Sequence, residues 1–447
     1  MKEKGSFYIG VDVGGTKISA GLMAYSGKIL LRRKIPTPPN AKPKQLYDAL
    51  KGLIDSILLK ENILKTQLHG IGLGIPGIVG PNQKDILITP NIALTRYPLA
   101  EQLNKYFRVK VLLGNDVNLG MLAEKWVGVA KTHNNIIGIF LGTGVGGCII
   151  INGRIYLGSQ GAAAELGHMI IDQNSRIVNA GIFGSLEGLT SRRAIERQIR
   201  ERIKSGKKSV VTKLTEGNLK IIKSSVIRES LKLKDKVVVD VMDHVSEVLG
   251  KACISLRHIL NPDAIVFGGG VVEACGDYIL PRIRKISQAD PFFKGVDHCE
   301  IISSQLGDDA VILGAVAILK QDDGDIDFSG DYYPKMKMST GQGVMVNNKI
   351  YKNNFYVRAD GKIRKLGDKV IYRKLLEHGK IGSQILKKVC RRNPQMLIIG
   401  SGTKRVELNS DAKAFLRTEN IELKILPKQK AVEFYNAFDK RKAMLIH

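Results

Sequence analysis

The sequence predicts an α/β protein in which two similar domains face each other across a cleft, followed by a separate small α/β unit. Three observations carry this expectation. Two glycine-threonine loops follow apolar strands: Gly10-Val11-Asp12-Val13-Gly14-Gly15-Thr16-Lys17 after Ser6–Ile9, and Leu141-Gly142-Thr143-Gly144-Val145-Gly146-Gly147 after Ile136–Phe140. The order strand, glycine turn, strand, helix occurs twice. The composition changes near residue 321, where Gln321-Asp322-Asp323-Gly324-Asp325-Ile326-Asp327 is acidic and glycine-containing, as linkers are.

The elements follow in order. Residues 6–24 read as a hairpin, and Lys44–Leu59 has helix-spaced apolar residues. Gly70–Gly77 reads as a buried strand running into a turn, Leu99–Phe107 as a helix, and Val109–Leu113 as a strand ending in Gly114-Asn115-Asp116. Leu119–Val127 then reads as a helix. In the second half, Cys148–Ile151 is a strand, helices begin near Ser185, and Val237–Leu260 is a long helix. It leads to Asn261-Pro262 and a strand ending in Gly268-Gly269-Gly270. Past the acidic stretch, Gly343–Ile350 and Asn354–Ala359 alternate as strands, with a turn at Asp360-Gly361. Gln395–Gly400 and Ile421–Leu426 read as strands, Asp411–Thr418 and Lys430–Asp439 as helices. The expected domains are 1–118, 119–320 and 341–447, with 321–340 as linker.

Composition narrows the function. The chain has 447 residues, 44% hydrophobic and 25% charged, in the range of a soluble globular protein. No apolar run is long enough to span a membrane, and the N-terminus carries no signal-peptide pattern. Five scattered cysteines without a C-x-x-C pair suit a reducing cytoplasm. The net charge is +27, and residues 331–447 hold 26 Lys and Arg against 10 Asp and Glu. Such charge suits nucleic acid, polyphosphate or an acidic partner; exposed faces that simply carry lysine are the favoured reading.

Glycines after a strand bare backbone N–H groups, which bind phosphate oxygens. Two such loops suggest a phosphate chain gripped from two sides, hence phosphoryl transfer. Asp12 beside phosphates calls for a cation, Mg²⁺ held through water; the alternative is a turn-stabilising aspartate. Asp116 ends a strand, where α/β sheets place ligands, and a sugar hydroxyl attacking phosphorus benefits from a positioned base. Capping of the following helix is the other reading. Glu165, His168 and Glu187 are natural partners for vicinal hydroxyls, although a lone histidine is often structural.

Together these residues resemble the ROK sugar kinases and repressors. The resemblance runs from about Tyr8 to Leu319, through Asp12–Lys17, Gly74-Ile75-Pro76-Gly77, Pro90-Asn91, Gly114–Asn118, Leu141–Gly147, Glu165-Leu166-Gly167-His168, Asn261–Gly270 and Leu306–Ala310. It implies the actin/hexokinase-like (RNase H-like) fold, with the last helix returning to the first domain. It implies ATP and Mg²⁺ as cofactors, with Asp116 as the base acting on the sugar 6-hydroxyl. Sugar contacts are implied for Asn91, Asn115, Glu165, His168 and Glu187. The phosphates fall to Asp12, Gly14, Gly15, Thr16, Lys17, Gly142, Thr143 and Gly144, and the adenosine to Gly268, Gly269 and Gly270.

The family often carries a C-x-C-G-x-x-G-C-x-E zinc loop. Here Val178, Ala180 and Ser185 replace its cysteines, so no zinc is expected, and packing by Ile182 and Phe183 is expected to hold the loop. Ala164 stands where glycine is usual, with a small effect expected. Residues 341–447 resemble a second family, a small domain found alone in archaea and in a mitochondrial complex I assembly factor. The carriers are Gly343–Tyr351, Leu397–Gly402 and Ala431–Asn436. Gly400-Ser401-Gly402 reads as an anion site or a plain strand-to-helix turn.

The expected function is an ATP-dependent hexose kinase, glucose first, with N-acetylhexosamines and other hexoses as further acceptors. A polyphosphate-dependent kinase is the alternative donor reading. A sugar-responsive repressor is disfavoured, because too few residues precede the first strand for a helix-turn-helix. A hexose partner, a homodimer, an acidic partner for the basic C-terminal domain, no specific nucleic acid and no membrane complete the expectations.

Overall fold

Short apolar runs punctuated by glycine form two five-stranded sheets with the same strand order. The structure is a computed structural model, and it describes residues 7–294, 299–326, 328, 334, 336–339, 343–346, 349–352, 354–359, 361, 363–366, 376–377, 380–391, 394–402, 406–438 and 442–446. Contacts divide the chain into two units, Met1–Gly330 and Asp331–His447.

In the first unit, strands β1 (Phe7–Val13), β2 (Lys17–Ala24), β3 (Ile29–Pro36), β4 (Leu68–Ile75) and β5 (Lys110–Asn115) run in the order β3-β2-β1-β4-β5. The first three form an antiparallel meander, and β4 and β5 lie parallel to β1. Strand β1 is central and covered on both faces, which is why its sequence is apolar almost without alternation. Edge strand β3 alternates in burial. Helices α1 (Pro43–Lys60) and α2 (Leu99–Phe107) bury Leu46, Leu50, Ile54 and Leu103 against one face.

The second sheet repeats the plan. Strands β6 (Ile136–Leu141), β7 (Val145–Ile151), β8 (Arg154–Ile155), β9 (Ala264–Gly268) and β10 (Glu300–Ser303) run β8-β7-β6-β9-β10, with β9 parallel to β6 and β10. Helices α6 (Lys236–Leu260) and α7 (Gly270–Gln288) cover its outer face, after α4 (Leu186–Thr190) and α5 (Arg192–Lys204) in the chain.

Helix α3 (Asp116–Trp126) lies between the sheets. Its Leu119, Leu122 and Ala123 pack with the first sheet, and Met121 packs with Ile136 and Val266 of the second. The expected division at residues 118 and 119 therefore falls inside an element shared by both lobes. Helix α8 (Ala310–Asp322) returns to the first sheet. It lies on a row of glycines, Gly21, Gly10 and Gly72, paired across β2, β1 and β4. A Cβ on Gly72 would stand 1.8 Å from the Ala315 carbonyl oxygen, so only glycine admits the helix backbone here.

The acidic stretch read as linker is bonded to the first lobe. Lys110 meets Asp322 and Asp323, and His69 Nε2 lies 2.8 Å from Asp323. Tyr25 donates its hydroxyl to Asp325 at 2.5 Å, while buried Lys320 sits over the Tyr25 ring and 3.3 Å from the same carboxylate. Residues 336–339, also assigned to the linker, are a strand of the second unit.

That second unit has a three-stranded sheet of Met336–Ser339, Gly343–Val346 and Lys349–Tyr351. The single strand expected over Gly343–Ile350 is thus two, folded back so that Val346 pairs with Lys349. A five-stranded sheet places Met396–Ser401 between Lys442–Ile446 and Glu422–Pro427, parallel to both. Helices Ser383–Val389 and Ser410–Thr418 cover one face, and Lys428–Ala437 covers the other. Asp360 of the expected turn lies outside the described residues, and Gly361 has φ 65°. No helix among the described residues is long and apolar enough to cross a membrane.

Candidate functional site

The carboxyl ends of β1, β4 and β5 converge. Asp12 pairs with Gly74, and Gly74 with Gly114. With strands about 4.8 Å apart, Asp12 and the start of α3 belong to the same rim of the sheet. Asn115 caps α3: its Oδ1 accepts the Asn118 N–H at 3.0 Å, and its Nδ2 donates to the Gly77 carbonyl at 3.0 Å. Capping by Asp116, the structural reading of that residue, is therefore not what the structure contains. Asp116 is the first helical residue, and its Oδ1 accepts the Val117 N–H at 2.9 Å.

Burial pushes the Asp116 carboxyl up to about 6, against the pull of the Val117 N–H and with a further push from Glu165. Burial likewise raises Asp12 to about 6, the charge of Asp116 adding to it and Lys17 opposing it. Two carboxylates short of cationic compensation on one rim form an electrostatic setting suited to a cation.

The two loops present N–H groups in matching ways. In the first, Gly14 N–H is used by the Lys17 carbonyl, and Thr37 ties the Gly14 and Thr16 carbonyls. The N–H groups of Gly15 and Thr16 have no partner among the described residues. In the second, Gly142 N–H bonds the Gly144 carbonyl and Val145 N–H bonds Glu187, leaving those of Thr143 and Gly144 without one. The glycines of these two loops are not in the left-handed region. Close approach selects glycine at two of these positions: a Cβ on Gly144 would stand 2.3 Å from the Glu187 carboxylate, and on Gly14 2.8 Å from the Lys17 carbonyl oxygen.

The remaining expected residues divide. Asn91 lies against Gly15. Glu165 and His168 are exposed at either end of a short turn, Leu166–His168. Lys17 is drawn onto Asp308 at 3.2 Å, an aspartate it shares with Lys34. Glu187 has both oxygens engaged, by Val145 N–H and by Asn179 Nδ2, each at 2.7 Å. Gly268 pairs with Phe140, placing the following turn beside the second loop. Gly269 has φ 86°, and a Cβ there would meet the Leu141 carbonyl oxygen at 2.6 Å. Beyond Gly270 lies open space. A cavity of about 160 Å³ joins this turn to Asp116, lined also by Phe140, Glu273 and Gly307.

Two residues went unnoticed in the sequence. Glu124 is fully buried on α3, and accepts the N–H groups of Gln305 and Leu306 at 2.7 and 2.9 Å. Arg192 opens α5 and donates to the Thr143 hydroxyl at 3.2 Å. A glutamate inside the apolar run Leu119–Trp126 was a usable signal for the first; the arginine-rich α5 concealed the second.

Where the cysteine loop would stand, Val178–Asn179 and Ile182–Phe183 form a hairpin. Its turn residues Ala180 and Gly181 have φ of 48° and 79°, the signs of a type I′ turn. Phe183 is 56% exposed, so the expected packing by this residue is not what holds the loop. Strand pairing, the Gly184 N–H on the Ile177 carbonyl and Ser185 capping α4 hold it instead. No group of three or more His, Cys, Asp or Glu arranged for a metal occurs among the described residues. Ala164 has φ 67°, a conformation that costs an alanine about 1 kcal/mol and favours glycine.

The sequence profile of the ROK family matches residues 8–322. The chain is 33% identical over 316 residues to a glucokinase of Thermotoga maritima, covering 70% of this chain and 97% of the relative. It is 28% identical over 314 residues to a putative xylose repressor of Caldicellulosiruptor, covering 70% of this chain and 78% of that one. It also resembles the crystal structure of a ROK family glucokinase from Streptomyces griseus in complex with glucose and AMPPNP. The TM-score is 0.60 and the identity 29%, over 70% of this chain and 99% of that one. The resemblance read for residues 341–447 lies beyond the matched region and gains no support from it. With two similar five-stranded lobes, a shared helix between them and a profile match over most of its length, the chain belongs to the ROK family.

Proposed function

We propose that this protein transfers the γ-phosphate of ATP to the 6-hydroxyl of a hexose, glucose first among them, in the cytoplasm. One observation carries the reading: a desolvated carboxylate, Asp116, stands close enough to Asp12 to raise it, and the N–H pairs of the two loops, Gly15/Thr16 and Thr143/Gly144, have no partner among the described residues. The relatives named glucokinase support the acceptor.

The residues fit the expected groups. Four N–H donors without partners among the described residues suit the oxygens of a phosphate chain, and the open side of Gly270 leaves room for a nucleoside. Asp12, with its raised carboxyl, suits a hydrated Mg²⁺, which when bound supplies charge neutralisation at the phosphates. Asp116 takes the proton of the sugar hydroxyl as the new bond to phosphorus forms. Asn91, Asn115, Glu165 and His168 are assigned to the sugar, and Glu187 both to the sugar side and to holding the second loop. Closure of the lobes would exclude water, the competing acceptor.

An assay of phosphorylated sugar over a panel of hexoses and N-acetylhexosamines, with ATP or inorganic polyphosphate as donor, tests the proposal. Hexose-dependent product with ATP is expected. Product with polyphosphate alone would replace the donor, and no product from any sugar would overturn the reading.

A further inference from the structure

Arg192 stands at the second glycine loop in a way that the basic composition of α5 does not explain. Its backbone N–H donates to the Gly142 carbonyl at 3.0 Å, which fixes the start of α5 against the loop. Its Nη2 donates to Thr143 Oγ1 at 3.2 Å, and its Nη1 donates to Glu196, one helical turn on. Glu196 is buried and also lies 3.9 Å from Arg200, so the three side chains together carry net positive charge.

These two bonds occupy two of the five N–H groups of a planar guanidinium. The side chain is 27% exposed, Thr143 is exposed, and open space lies where a Gly142 side chain would stand. Because Thr143 Oγ1 accepts from a cation, its own hydrogen is left to donate outward, and the cation makes it a stronger donor. The first loop differs, since Lys17 there is drawn onto Asp308. The positive charge fixed to a loop hydroxyl at the phosphate grip is therefore on the second lobe.

We propose that Arg192 is a further substrate-binding residue of the transfer site: held by Glu196, its guanidinium binds the donor's phosphate oxygens together with the Thr143 hydroxyl. The inference rests on the phosphoryl-transfer reading of the cleft. Arginine suits the role because its planar fork meets two phosphate oxygens at once and its charge does not titrate away. Charge spread over the transferred phosphoryl oxygens is what such a group stabilises.

The test compares the full-length protein with Arg192→Gln and Arg192→Lys in two measurements. The first is the thermal shift given by inorganic tripolyphosphate, which needs no turnover. Wild type is expected to be stabilised, Arg192→Gln to lose most of the shift and Arg192→Lys to keep part of it. The second is the steady-state rate, where Arg192→Gln is expected to raise KM for ATP by about tenfold or more, with KM for the hexose little changed. An Arg192→Gln protein that keeps the tripolyphosphate shift and the KM for ATP would overturn the assignment while leaving the kinase reading intact. A wild type without hexose-dependent transfer, but with an Arg192-dependent tripolyphosphate shift, would overturn the kinase reading and keep Arg192 as a phosphate-binding residue.

Discussion

The carboxylate of Glu187 accepts the backbone N–H of Val145 at 2.7 Å, joining the head of α4 to the second glycine loop. Its other oxygen holds Asn179 of the hairpin that stands where the family's cysteines would be. One side chain thus links this hairpin to the second glycine loop. Glu187→Ala is expected to lower stability by about 2 kcal/mol, the scale of hydrogen bonds to a charged group. It should also raise KM for the phosphate donor, not only for the sugar. Urea unfolding and the separate KM values check this.

Asp12 and Asp116 make stability depend on pH in a defined direction. Each carboxyl is raised from its ordinary value near 3.8 to about 6 in the folded protein. Between those values the folded state binds more protons than the unfolded one. Their contribution is therefore most favourable below about pH 4 and is lost as pH rises through 6. Asp12→Asn and Asp116→Asn are expected to be more stable than wild type at pH 7.5, on the order of 2 kcal/mol each. The difference should shrink toward pH 4, as read from denaturant midpoints across that range.

Gly72 tests the seat of α8. Its missing Cβ leaves room for the Ala315 carbonyl oxygen, 1.8 Å from where that carbon would stand. Gly72→Ala is expected to cost about 3 kcal/mol or more, since backbone on both sides must separate. Gly52 in α1 has nothing within 4 Å of the same position. Gly52→Ala is expected to stabilise by about 0.5–1 kcal/mol. Thermal unfolding of the two variants should move in opposite directions.

Ala164 and Ala180 both hold left-handed backbone, at φ 67° and 48°. Replacing either with glycine removes a Cβ strained by about 1 kcal/mol, partly offset by the greater freedom of glycine when unfolded. Each variant is expected to gain a few tenths of a kcal/mol, and the double variant their sum, by denaturant titration.

The lobes were legible because their signals are local. The apolar runs that precede Gly14-Gly15-Thr16 and Gly142-Thr143-Gly144 are strands followed by turns, and their repetition marks two lobes. The long-range partners were not legible. The acidic run at 322–325 looked like a linker because Lys110, His69 and Tyr25, which bind it, stand more than 200 residues away. The sequence offered Asp116 as a base or as the cap of the following helix; the backbone entering α3 makes its neighbour Asn115 the cap. Arg192 sits among Arg193, Arg197, Arg200 and Arg202, and only the approach of α5 to Gly142 singles it out. Phe183 looked like a packing residue, yet a two-residue turn holds its hairpin without burying it.

Asp116 is proposed to take the sugar's proton. Its most direct test is hexose-dependent ADP release by wild type and Asp116→Asn, with hexose binding followed by calorimetry on the same samples. Asp116→Asn is expected still to bind the hexose, while its turnover falls by at least about a hundredfold. An Asp116→Asn protein that turns over near the wild-type rate would contradict it.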